Sequence, residues 1–182
     1  KTKKNYSNNN LPLFGISDHI FKTFDDRPNL LTKREVRVQI LADLELPKNG
    51  VIWDIGAGCG SIGLEALKLR PNLDLFCIDK RIGSKALILE NSKRLGVKPK
   101  FIFEEDIIKT LNTRNLSSFE KPNRLVIGGC DKKTKLQIIN TMAQSMRIGD
   151  IIVIPIIDIQ TIKELKEELE DKNFKTNLNL IQ

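Results

Sequence analysis

Val51-Ile-Trp-Asp-Ile-Gly-Ala-Gly-Cys-Gly-Ser-Ile-Gly-Leu-Glu-Ala-Leu-Lys68 is the stretch whose reading decides the fold. The apolar run Val51 to Trp53 predicts a buried strand with Asp54 at its end. Gly56, Gly58 and Gly60 follow, and an apolar period begins a helix at Ser61. A strand, a tight turn and a helix in this order place bare backbone beside the helix N-terminus, whose free N–H groups and positive dipole end favour a polar or anionic ligand.

Two cofactors use such a turn. Gly58, Gly60 and Gly63 satisfy the G-x-G-x-x-G of a dinucleotide site, a weak signal alone. Asp54 ahead of Gly56-x-Gly58-x-Gly60 favours a different cofactor, because a carboxylate at the strand end would repel a pyrophosphate. The acid plus G-x-G-x-G resembles the first motif of the Rossmann-like S-adenosylmethionine (SAM) methyltransferases. That resemblance implies cofactor contacts from Asp54 and the loop Gly56, Ala57, Gly58, Cys59 and Gly60. A glycine turn serving packing alone is the plain alternative.

The flanking chain repeats the strand–helix unit. Leu73 to Ile78 predicts a second strand closed by Asp79, about 20 residues past the glycines, where βαβ logic places a carboxylate that accepts from ribose hydroxyls. An Asp that merely caps the next helix is the structural alternative. A helix from Gly83 to Leu95 ends on Gly96. Phe101 to Phe103 predicts a third strand, followed by Glu104-Glu105-Asp106-Ile107. By resemblance to SAM methyltransferases, Asp106 and Ile107 meet the adenine. Residues 111–123 are polar, with at most a short helix. The segment from Arg124 to Gly128 and Gly129 reads as the fourth strand, Lys135 to Met146 as a helix and Ile151 to Ile157 as a fifth strand disturbed by Pro155. Ile159 to Leu169 predicts a charged helix, and Phe174 to Ile181 one more strand. Upstream, Thr32 reads as an N-cap with Glu35 completing a capping box for a helix carrying Val36, Ile40 and Leu44. The expected fold is α/β: a doubly wound, mainly parallel sheet with helices on both faces, lacking a terminal hairpin strand.

The 182 residues suffice for one core, with 40% hydrophobic and 29% charged residues excluding a disordered chain. Residues 1–14 read as a lead-in or linker and 15–182 as the domain. No apolar run reaches the ~20 residues of a membrane span, and no signal peptide is visible in the chain. Cys59, Cys77 and Cys130 have neither C-x-x-C spacing nor an even count, so neither disulfides nor a metal site is expected, and the expected location is cytoplasmic. The net charge of +7 implies an anionic partner. His19, the sole histidine, sits between Asp18 and Ile20 in an irregular arm and reads as an exposed residue.

Three segments narrow the resemblance: Gly15-Ile-Ser-Asp-His-Ile-Phe21, Leu31-Thr-Lys-Arg-Glu-Val-Arg37 and Trp53-Asp-Ile-Gly-Ala-Gly-Cys-Gly-Ser61. Together they resemble the decarboxylating precorrin methyltransferases of cobalamin synthesis, over Gly15 to Ile181. This resemblance implies SAM contacts from Thr32, the glycine loop, Asp79, Ile107 and Asp106. It implies a substrate side at Gly128 and Gly129, and an anionic tetrapyrrole whose carboxylates pair with Lys33, Arg34, Arg37, Lys132 or Lys133. It also implies a homo-oligomer, a tetramer in many members, and cooperation or fusion with a second precorrin methyltransferase domain. No catalytic residue is assigned. Cys130-Asp131-Lys132 and Pro155-Ile156-Ile157-Asp158 depart from the family pattern on the substrate side. An RNA methyltransferase is the first alternative, disfavoured by nine Phe plus Tyr and no appended RNA-binding module. A non-catalytic SAM-fold subunit is the second.

Overall fold

A computed structural model describes residues 11–28, 30–113 and 119–181. Five parallel strands form one sheet in the order β3-β2-β1-β4-β5: β1 Gly50–Ile55, β2 Leu73–Ile78, β3 Phe101–Phe103, β4 Arg124–Ile127 and β5 Ile151–Val153. Helices α1 Arg34–Asp43, α2 Ser61–Leu69, α3 Ser84–Leu95, α4 Ile107–Thr113, α5 Lys132–Met142 and α6 Ile159–Asp171 connect and flank them. The order reverses between β1 and β4, the crevice at which open α/β sheets take their ligands.

Strand parity sorts the core into two layers. Ile52, Leu75, Cys77 and Val126 face α1, α2 and α3, packing with Ile40, Leu64 and Ile88. Trp53, Ile55, Phe76, Ile78, Leu125 and Ile127 face the other way, onto Ile107, Ile138, Ile139 and Leu165. Side chains alternate along a strand, so Asp54 and Asp79, two residues on from Ile52 and Cys77, both turn toward the α2 layer.

Most elements match the sequence reading, and the differences have local causes. β1 runs one residue beyond Asp54, to Ile55, because β2 and β4 pair with it on both sides through Asp54 and Ile55. Asp54 is therefore inside the strand rather than at its end. α1 begins at Arg34 with Lys33 as N-cap, not Thr32. The Thr32 carbonyl instead accepts from the Arg37 guanidinium (2.5 Å), which draws that peptide away from a capping role. α5 begins three residues early because Asp131 caps it, accepting from the Thr134 N–H (2.9 Å). β5 ends at Val153, before Pro155, and Asp158 caps α6.

The last expected strand is not formed. Residues 174–181 pair with no strand; Leu178 and Leu180 are 70% and 80% exposed, and Asn179 bonds the Asp43 carboxylate instead. Alternating apolar residues indicate a face but supply no neighbour for the backbone N–H and C=O groups, and strands need that neighbour. The expected lead-in falls mostly on residues 1–10, outside the described residues. Leu11 already packs against the first core layer. Among the described residues no helix is long and apolar enough to cross a membrane.

Candidate active site

The carboxyl ends of the strands open on one cleft with about 590 Å³ of empty volume connected to solvent. Ile55 and Gly56 line it from β1, Ile78 to Arg81 from β2, Glu105 to Ile107 from beyond β3, and Gly129 to Asp131 with Thr134 from beyond β4.

Asp79 anchors this cleft. It is 6% exposed; its Oδ2 accepts from the Gly58 N–H (2.7 Å) and its Oδ1 from the Arg81 N–H (2.9 Å). Each oxygen thus keeps a lone pair free for a further donor. Beside it, Asp106 caps α4, its Oδ1 accepting from the Ile108 N–H at 2.9 Å. The Ile107 N–H belongs to the first helical turn, which α4 itself does not satisfy.

Asp54 lies beneath the loop rather than in it. It is 1% exposed, and its Oδ2 accepts from the Gly63 N–H at 3.0 Å. Burial raises its pKa from 3.8 to about 7; the Gly63 hydrogen bond opposes that rise and the Asp79 charge adds to it. A carboxyl with this environment exchanges its proton near neutrality.

The glycines of the loop have different reasons. A Cβ on Gly56 would sit 2.7 Å from the Gly128 carbonyl carbon, so this glycine lets the β1 and β4 ends meet backbone to backbone. Gly58 takes φ +58° with open space where a Cβ would go. Cys59 is buried, and its carbonyl accepts from the Asn91 amide (2.9 Å). Of Gly56 to Gly60 only Gly56 lines the cleft; Gly58 reaches it through Asp79, and Ala57 and Gly60 close a turn by a 2.8 Å hydrogen bond.

The α1 residues are not brought to the cleft wall. Thr32, Lys33 and Arg34 are absent from its lining, and the Arg34 Nε donates to the Gly15 carbonyl at 2.6 Å. Arg37 cannot pair with a substrate. It is fully buried against an equally buried Glu65 (3.0 Å) and Asp18 (2.7 Å), because the arm and α2 close over it. Lys132 pairs with Glu164 at 2.8 Å, and His19 is an exposed residue outside the cleft lining. Gly129, at φ +53°, lines the cleft, whereas Gly128 lies behind it against Gly56. The cations in the wall are Lys80 and Arg81, missed in the sequence although they directly follow Asp79.

A family model for the precorrin methyltransferase domain matches residues 23–177. The chain belongs to the precorrin methyltransferase domain family. Among the relatives of this precorrin methyltransferase domain, a probable cobalt-precorrin-6B C(15)-methyltransferase (decarboxylating) of Saccharolobus solfataricus is 31% identical over 173 residues, spanning 92% of this chain and 81% of that protein. A crystal structure of precorrin-6y C5,15-methyltransferase from Geobacter metallireducens superposes with a TM-score of 0.77 at 29% identity, covering 91% of this domain and 83% of that chain. Precorrin-8w decarboxylase of Methanobacterium thermoautotrophicum gives 0.75 at 26% identity, covering 89% and 83%. The precorrin methyltransferase domain therefore shares both its sheet and most of its length with these proteins.

Proposed function

We propose that the chain is a SAM-dependent C-methyltransferase that methylates a precorrin tetrapyrrole, at C-15, with loss of carbon dioxide from an acetate side chain. The observation carrying the proposal is that Asp79, Asp106 and the loop held at Gly58 meet at one cleft in a chain of the precorrin methyltransferase family.

The residues present fit the cofactor. Asp79 offers two buried acceptor positions for the ribose diol, and its backbone partners at Gly58 and Arg81 hold it in place. The Asp106 carboxylate and the Ile107 N–H supply one acceptor and one donor for the edge of a purine. Gly56 presents bare backbone at the cleft wall, and Gly58 takes a positive φ that lets its N–H turn onto Asp79. When bound, SAM supplies an electrophilic methyl group on a sulfonium. The acceptor macrocycle carries its own nucleophilic carbon, so the protein contributes alignment and an electrostatic setting and needs no triad. Lys80 and Arg81 in the cleft wall, with Lys133 at the start of α5, are suited to the carboxylates of an anionic tetrapyrrole. The proposal includes a cytoplasmic setting, homo-oligomerisation and work alongside a second precorrin methyltransferase domain.

The test is incubation of the purified chain with methyl-labelled SAM and cobalt-containing or cobalt-free precorrins, followed by mass spectrometry. Product that carries the label and has lost one carbon dioxide is expected. SAM binding without label transfer to any precorrin would refute catalysis and leave a binding subunit.

A further inference from the structure

We propose that Asn91 is a positioning residue for the glycine loop, coupling it to the N-terminal arm so that both close on the cofactor as one unit; this rests on the SAM reading above. The loop is rich in positive-φ glycine and has little side-chain substance to pin it. Two side chains hold it by its backbone. Asp79 takes the Gly58 N–H from the cleft side, and Asn91, from α3, donates to the Cys59 carbonyl from behind (2.9 Å).

Asn91 is fully buried and has no access to the cleft, so its action is through its partners. The same amide also holds the arm. Its Oδ1 accepts from the Lys22 N–H (2.8 Å), and its Nδ2 donates to the Lys22 carbonyl (2.9 Å). An amide presents an acceptor and two donors on one short stem, which is what a bridge from one peptide unit to another requires. The arm is fixed upstream, where Glu65 Oε1 accepts from the N–H groups of Gly15 and Ile16, and where Arg37 donates to the Ile16 carbonyl. Downstream of Lys22 the arm returns to the cleft wall: the Phe24 ring lies 5.6 Å from the guanidinium carbon of Arg81, whose N–H donates to Asp79. The arm therefore touches the loop through Asn91 and the Asp79 carboxylate through Arg81.

Cutting the Asn91 bridge leaves the chemistry of the cleft intact but makes the ligand itself order the loop. The loss then appears in cofactor affinity and in KM for SAM, with kcat at saturation retained. Three variants of the full chain separate the possibilities. N91L keeps the volume and removes the amide. K22P removes the arm N–H together with the Lys22 ion pair to Glu90, and Phe21 at ψ 135° accepts a following proline. K22A keeps both backbone hydrogen bonds and removes only the exposed ion pair to Glu90. Calorimetry with S-adenosylhomocysteine should show at least tenfold weaker binding for N91L and several-fold weaker binding for K22P, with K22A within twofold of wild type. KM for SAM should rise in step while kcat stays within twofold. Should N91L not fold, K22P against K22A decides. Wild-type affinity in folded N91L or in K22P overturns the inference, as does K22A binding as weakly as K22P, or a fall in kcat with KM unchanged. Failure of the wild type itself to bind S-adenosylhomocysteine overturns the SAM reading, and this inference with it.

Discussion

D54N should flatten the pH dependence of stability between pH 5 and 8. Asp54 is buried at the centre of the sheet with one hydrogen bond, from Gly63, and its pKa rises from 3.8 to about 7. In the unfolded chain the proton leaves near 3.8; in the folded chain it stays until about 7. The folded state thus binds more protons between those values, and stability falls as pH rises through the window, the full cost being present above about 7. A shift of about three units at about 1.4 kcal/mol each makes that cost on the order of 4 kcal/mol. About 1.5 kcal/mol of it is already present at pH 5, so the additional loss on going to pH 8 is about 2.5 kcal/mol. D54N mimics the protonated acid, keeps an acceptor for Gly63 and has no proton to release. Urea unfolding followed by circular dichroism at both pH values provides the assay. With a slope of about 2 kcal/mol per molar urea, the wild-type midpoint should drop by about 1 M more than that of D54N. All other titrating groups are shared and cancel in the difference. Parallel midpoints for the two proteins would refute the reasoning, since the carboxyl would then ionise in the folded chain as it does in the unfolded one.

Asp79→Ala should weaken S-adenosylhomocysteine binding by roughly 10–100-fold in calorimetry, the worth of a charge-assisted hydrogen bond of about 1.5–3 kcal/mol; unchanged affinity would remove Asp79 from the site. Arg37→Met leaves Glu65 buried without its partner and should cost about 3–5 kcal/mol of unfolding free energy, whereas the double variant Arg37→Met with Glu65→Leu should recover part of that loss. Gly56→Ala forces a Cβ against the Gly128 backbone and should give little folded protein. Gly58→Ala has open space and should cost only the about 1–2 kcal/mol of an alanine at positive φ, which a thermal melt distinguishes.

The parallel sheet was legible in the sequence because the first four strands are apolar runs followed closely by an acid or glycine, the fifth is an apolar run broken by Pro155, and the longer helices have their own period. Asp79 and Asp106 were legible for the same reason: in a parallel sheet every residue that follows a strand is delivered to one rim. What the sequence left hidden depends on contacts between distant segments. Arg37 reads as a surface cation on an amphipathic helix, and only Glu65, 28 positions on, makes its burial possible. Asn91 carries no signal in a charged helix, since its partners Lys22 and Cys59 offer backbone atoms, which have no letter in a sequence. Lys80 and Arg81 were within reach, being the next two residues after the ribose candidate, although two cations after a strand carry no motif of their own. The strand expected over residues 174–181 failed because alternation records the chemistry of a face and says nothing about whether a neighbouring edge is available.

The contact between Gly56 and Gly128 bears on how such a scaffold diversifies. Where the β1 and β4 ends touch through main chain alone, their spacing at Gly56 and Gly128 leaves no room for a side chain at position 56 unless the sheet itself yields. Variation in the cleft then falls more readily on its banks, with Lys80 and Arg81 on one side and Cys130, Asp131 and Thr134 on the other. Selection or engineering of new acceptors is best directed to those five positions.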